Sequence, residues 1–196
     1  MALTTTPVCK FGEKAGDFSL PGTDDRFWSL QDCSGPNGLL VMFICNHCPY
    51  VKAINRKLVR DALDLWRLGI YCVAVMPNDT DEYPEDSMHN MRLVAKEQDY
   101  PFPYLLDQTQ EVARAYGAVC TPDFFGYNAD LELQYRGRMD QCGARRDCGE
   151  VPRELYLAMK QVAETGQGPE QQNPSMGCSI KWRDDGPLKG GPAAVP

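Results

Sequence analysis

A chain of 196 residues with 43% apolar and 24% charged side chains can bury a real core, and its length fits one decorated domain better than two. A formal charge of −7 argues against a nucleic-acid partner, because that affinity comes from Lys and Arg neutralising phosphates. The longest apolar run, Leu39 to Cys45, is too short to span a bilayer, and the start Met-Ala-Leu-Thr-Thr-Thr-Pro lacks the features of a signal peptide. The expectation is a cytoplasmic chain without a membrane partner, whose nine cysteines are thiols with catalytic, metal or packing roles.

Residues 1–10 read as an N-terminal arm, 11–165 as the domain and 166–196 as a Gly/Pro-rich tail. Asp17-Phe-Ser-Leu20 and Arg26-Phe-Trp-Ser-Leu30 flank a turn-rich stretch and predict a β-hairpin. Leu39–Ile44 is continuously apolar, as expected of a strand buried on both faces. Beyond Pro49, Val51, Ile54, Leu58, Ala62 and Leu65 recur at helical spacing up to about Leu68, where Gly69 ends the pattern. Ile70–Met76 is a second buried strand, so the three segments form a right-handed, parallel βαβ unit. Asn78 to Asp86 is an acidic loop, and Asp86 or Ser87 caps a following helical insertion.

Tyr104–Leu106 reads as a short strand and Gln110–Tyr116 as a short helix. Asp123–Tyr127 and Leu131–Arg136 read as an antiparallel pair, and a last helix carries Val151, Leu155, Ala158, Met159 and Val162. The tail cannot form regular structure of its own; it drapes over the domain or stays mobile. The Trp182-bearing run around Cys178 suggests that it docks.

The chemistry concentrates in Cys45-Asn-His-Cys48, between a buried strand and a helix. Free N–H groups and the dipole at a helix start favour a thiolate, and two intervening residues bring the sulfurs within bonding reach across the first turn. Cys45, at the outer end, is expected to be the low-pKa nucleophile and Cys48 the resolving thiol. An imidazole at His47 would stabilise the Cys45 thiolate and make the disulfide a better oxidant; alternatively His47 only faces solvent. Half of a zinc site is the competing reading, but the only other close cysteine pair is Cys142 and Cys148 in a loop.

Cys120-Thr121-Pro122, directly before a strand, resembles the cis-proline loop of thioredoxin folds, where the backbone of Thr121 and Pro122 would bind an extended substrate strand-fashion. The plainer alternative is a trans-proline introducing a strand. Cys120 and Cys178 are either auxiliary redox thiols or small buried residues; Cys142 and Cys148 have no chemical context.

The sequence resembles the peroxiredoxin-like, AhpC/TSA branch of the thioredoxin superfamily. The matching runs are Phe18-Ser-Leu-Pro21, Leu40 to Lys52, Tyr83-Pro-Glu-Asp-Ser87, Cys120-Thr-Pro-Asp-Phe-Phe125, Tyr135-Arg-Gly137 and Pro174 to Trp182. The resemblance implies an α/β, thioredoxin-like fold: a central mixed sheet flanked by helices, with an N-terminal hairpin, a helical insertion and an irregular tail. Where peroxidatic relatives carry Pro-x-x-x-Thr-x-x-Cys, this chain has Val41, Cys45 and Cys48, and the Thr121-Pro122 loop occupies the stretch of their peroxide-binding Arg. Ordinary thioredoxins carry Trp where Ile44 stands and a buried Asp where Leu39 stands, which leaves His47 or Asp123 to move protons.

Together these features predict a thiol–disulfide oxidoreductase using Cys45 and Cys48, with no cofactor. Its substrate would be a disulfide-bearing protein or a small thiol, and a thioredoxin- or glutathione-type reductant would recycle it. The alternatives are a thiol-dependent peroxidase, or a Cu(I)- or Zn-binding module using soft thiolates with His47 or Cys120.

Overall fold

The computed structural model describes residues 3–145 and 148–183. In chain order the elements are β1 (Leu3–Thr5), β2 (Ser19–Pro21), β3 (Phe27–Ser29), α1 (Leu30–Cys33), β4 (Gly38–Phe43), α2 (Pro49–Arg67), β5 (Ile70–Met76), α3 (Met88–Glu97) and β6 (Tyr104–Leu106). There follow α4 (Glu111–Tyr116), β7 (Cys120–Thr121), β8 (Asp123–Tyr127), β9 (Leu133–Tyr135), α5 (Glu154–Thr165) and β10 (Met176–Ser179). A 3₁₀ turn at Pro84–Asp86 precedes α3, whose N-cap is Ser87 rather than Asp86.

The central sheet runs β6-β5-β4-β8-β9. β4, β5 and β6 are parallel, while β8 pairs antiparallel with β4 and β9 with β8. Every residue of β4 is buried, and its side chains divide with the period of two that a strand imposes. Leu40 and Met42 point into one core with Val51, Ile54, Leu58 and Leu65 of α2 and Leu155 and Met159 of α5. Leu39, Val41 and Phe43 point into the other, against Phe18, Leu30, Val112 and Tyr116. Each such fully buried side chain contributes roughly 1.5–3 kcal/mol, so the apolar stripe of α2 fixes that helix, and its N-terminus, over the end of β4. Gly69 ends the helix at φ 75°. This is the thioredoxin-like arrangement, a mixed sheet between helical layers.

Three local expectations change. Leu131 adopts φ 56°, and Asn128 Oδ1 accepts hydrogen bonds from the amides of Asp130 and Glu132, so the turn is longer and β9 shorter than the apolar pattern suggests. Cys142 and Cys148 are joined in a disulfide with a Cα–Cα distance of 5.8 Å, so this pair does not stay as thiols. The tail drapes over the domain and in one stretch does more than drape: β10 pairs antiparallel with β1 (Thr4↔Gly177) on one side and with β7 (Cys178↔Thr121) on the other. The remainder of the predicted tail, 184–196, lies outside the described residues.

Candidate active site

Where β4 ends, the Ile44 amide still donates to the Val75 carbonyl (3.0 Å) before the chain leaves the sheet. Cys45-Asn-His-Cys48 then crosses to α2, with Cys48 as the N-cap residue and Pro49 in the first turn. Cys48 therefore sits at the mouth of the helix rather than inside its first turn. Pro49 fits there because an early helix position has no need of an N–H donor. Both cysteines are buried.

Thr121 meets both sulfurs. Its Oγ1 is 3.3 Å from Cys45 Sγ, while the Cys48 thiol donates to its carbonyl at 3.1 Å. The Thr121–Pro122 peptide bond is cis, which decides between the two sequence-based alternatives. Cys48 Sγ also lies 3.2 Å from Cys178 Sγ on β10. The structure thus gathers Cys45, Cys48, Thr121 and Cys178 into one cluster. Cys120 is excluded by strand geometry, since neighbouring residues of a strand face opposite ways. Its thiol bonds the Pro122 carbonyl (3.5 Å), and burial pushes its pKa up.

The other flank is polar and was not legible beforehand. Asp86, fully buried, accepts from the Asn46 amide N–H on Oδ1 (2.8 Å) and from Asn78 Nδ2 on Oδ2 (2.7 Å). His47 Nδ1 lies 2.7 Å from the same Oδ2. Asn46 Nδ2 donates to the Glu85 carbonyl, and Tyr104 donates its hydroxyl hydrogen to Asn46 Oδ1 (both 3.0 Å). The His47 ring stacks on Tyr83 at 5.6 Å. Both residues between the cysteines are thus locked by the Pro84–Asp86 turn and its surroundings. His47 faces this carboxylate more than solvent, and the hydrogen bond to Asp86 raises its pKa above 6.5, with burial opposing.

Asp123 does not serve this site. It is fully buried in an ion pair with Arg136 (3.1 Å), and burial raises its pKa to about 6. The carboxylate that acts on Cys45 is Asp86. Asp86 left only a faint signal in the sequence, as one acidic residue of several in a loop. The run Tyr83-Pro-Glu-Asp-Ser87 was the pointer.

The electrostatics of the two sulfurs differ. The interaction between the two sulfurs favours the charged form of Cys48 and the neutral form of Cys45. Burial opposes charge on both sulfurs. Around Cys48 the Val51 amide, the Cys178 thiol and the Thr121 side chain favour a thiolate, whereas the Thr121 carbonyl accepts only from the neutral thiol, and no side-chain capping hydrogen bond is formed. Around Cys45 the buried Asp86 carboxylate opposes a second negative charge, and only Thr121 favours one. The Cys45 pKa is raised and that of Cys48 lowered. Charge is favoured on Cys48, the residue that caps the helix, over Cys45.

No arginine stands among the groups that act most strongly on either thiol. One ligand atom each from Cys45, His47 and Asp86 lies within 4.8 Å of the others, the arrangement that would hold a metal. The Asp86 carboxylate in that set is already engaged with Asn46, Asn78 and His47.

The AhpC/TSA family profile matches residues 11–140. No curated protein matches the sequence. Among solved structures, an uncharacterized conserved protein from Geobacillus kaustophilus is 41% identical, with TM-score 0.89 over 95% of this chain and 99% of that one. The thioredoxin domain of a thiol-disulfide oxidoreductase from Bacteroides vulgatus is 16% identical, with TM-score 0.55 over 67% of this chain and 89% of its own. A peroxidoxin from Mycobacterium tuberculosis is 14% identical, with TM-score 0.54 over 80% and 93%. The last two likenesses show the fold.

Proposed function

The chain belongs to the AhpC/TSA family, and within that family we propose that it is a thiol–disulfide oxidoreductase rather than a peroxidase. The observation that carries this reading is the pair Cys45–Cys48 at the mouth of α2, with both sulfurs against Thr121 of a cis-proline loop. Such a pair holds a nucleophile and its successor side by side.

The Cys48 thiolate attacks one sulfur of a substrate disulfide. A Cys48–substrate disulfide forms, and the other substrate sulfur leaves as a thiolate that takes a proton from water. Cys45 then loses its proton and attacks the Cys48 sulfur. The second substrate thiolate is released, and a Cys45–Cys48 disulfide remains. The substrate gains two electrons and the dithiol loses two. A thioredoxin- or glutathione-type dithiol or thiol restores the reduced pair by the reverse exchange. The His47–Asp86 couple positions the intervening loop and sets the charge that Cys45 feels.

Peroxide reduction would need donors that polarise the O–O bond, and the leading influences on Cys48 are other thiols, an amide and Thr121. The test compares stopped-flow turnover of oxidised glutathione with that of hydrogen peroxide, using the same reduced protein. Faster disulfide exchange is expected, lost in Cys48→Ser. Peroxide consumption that exceeds disulfide exchange and survives Cys45→Ser would show the peroxidase instead.

A further inference from the structure

The backbone beside the cis-proline lies against both active-site sulfurs and offers an edge on which an extended segment can pair. Here that edge is taken. β10 pairs with β7 in the register Cys178↔Thr121, which sets Cys178 on the same face as the Thr121 groups that touch the two active-site sulfurs. Its Sγ is 3.2 Å from Cys48 Sγ, closer than unbonded sulfurs pack without an S–H···S contact. The segment is strongly anchored. Ser175 Oγ donates to the Pro122 carbonyl (2.9 Å), the Lys181 amide to Asn78 Oδ1 (2.9 Å), and Gln110 Nε2 to the Lys181 carbonyl (2.8 Å). Trp182 is seated under the Arg114 guanidinium at 4.4 Å.

Gly177 makes this approach possible. A Cβ at that position would collide with the Thr121 carbonyl oxygen, so only glycine lets β10 lie this close to the loop. The result is that Cys45, Cys48 and Cys178 are all buried.

We propose that β10 is a built-in substrate strand and Cys178 a third exchange thiol, which resolves disulfides formed at Cys48. The inference rests on the exchange reading above and deepens it. When Cys48 carries a substrate sulfur, Cys178 gives up its proton to water and attacks the Cys48 sulfur. A Cys48–Cys178 disulfide forms and the substrate leaves as a thiolate, which is protonated. Cys45 then attacks Cys48 in turn, regenerating the Cys178 thiol and leaving Cys45–Cys48. No further oxidant is needed, because the second step only moves the disulfide. With its edge occupied from within, the site accepts small disulfides that reach Cys48 past β10, and an extended protein segment binds only by displacing that strand.

The experiment oxidises reduced protein with oxidised glutathione, quenches by alkylation and maps disulfides by mass spectrometry. In Cys45→Ser the dominant product should be Cys48–Cys178. In Cys45→Ser with Cys178→Ser the Cys48–glutathione disulfide should persist at least about tenfold longer, because a thiol already in contact acts at high effective concentration. Cys45→Ser with Gly177→Val keeps all the remaining sulfurs but lifts β10, and should also hold glutathione at Cys48. If the glutathione adduct is equally long-lived with and without Cys178, or if Gly177→Val forms Cys48–Cys178 at the unaltered rate, the inference is overturned. If Cys48 forms no disulfide in any variant, the exchange reading fails, a distinct result from failure of Cys178 alone.

Discussion

The two flanks of the Cys45–Cys48 pair are built from opposite materials. On the side of the Pro84–Asp86 turn stand a buried carboxylate, two asparagines, an imidazole and a tyrosine ring, in a closed hydrogen-bond network. On the side of the cis-proline loop stand a hydroxyl, a carbonyl and a third sulfur. The first flank holds a fixed negative charge, and the second offers weak donors and a helix mouth. Two cysteines of one short loop are therefore not equivalent: the interaction with Cys48, burial and the Asp86 carboxylate all make charge costly on Cys45, and charge is favoured on Cys48.

The comparison is broken most severely by deleting the sulfur that takes the charge. Cys48→Ser should lower disulfide exchange by roughly 10³-fold, the scale of losing a nucleophile, and Cys45→Ser should leave a first, single-turnover attack intact. A burst of two thiols released per Cys45→Ser molecule, and of one when Cys178→Ser is added, checks this, and the absence of any burst would place the nucleophile on Cys45. Asp86→Asn comes next. It removes the anion that three groups address and should cost about 3 kcal/mol, read as a lower urea midpoint with unchanged slope. The same change should lower the Cys45 pKa and let resolution proceed at lower pH.

His47 sharpens the comparison through pH. Its folded-state pKa is raised by Asp86, so the folded protein binds this proton more tightly than the unfolded chain. The stabilisation is fully present below the ordinary value of 6.5 and is lost as pH rises through the raised value. His47→Gln should therefore destabilise the protein more at about pH 5.5 than at about pH 9, measured by denaturant unfolding at each pH. Thr121→Val has the smallest effect. It removes the hydroxyl that favours a thiolate on either sulfur and should slow both the first attack and the resolving step by a few-fold, about 1 kcal/mol, read by single-turnover kinetics.

The frame was legible because it is written in local patterns. Leu39–Ile44 and Ile70–Met76 are apolar without interruption, as strands covered on both faces must be, and the three-and-four spacing from Val51 to Leu65 admits only a helix. The position of Cys45 and Cys48 between them followed. What the sequence hid depends on partners far along the chain. Asp86 looks like its acidic neighbours Asp79, Asp81, Glu82 and Glu85, and only the fold shows which carboxylate turns inward. Met176-Gly-Cys-Ser179 is too short and too Gly/Pro-flanked to declare a strand; it becomes one because β7 and β1 offer edges on both sides. Helix geometry alone speaks for a thiolate near the N-terminus, but which of the two sulfurs carries it depends on their mutual interaction, their burial and neighbours such as Asp86 and Cys178, which lie far along the chain.

The central claim is that the reduced pair carries its charge on Cys48. A titration of protein labelled with ¹³C at the cysteine β-carbons, followed by NMR and assigned with Cys45→Ser and Cys48→Ser, reads it directly. Cys48 should titrate first, below the ordinary thiol value of 9.0, and Cys45 well above it. A Cys45 signal that shifts first, with Cys48 still protonated, would contradict it.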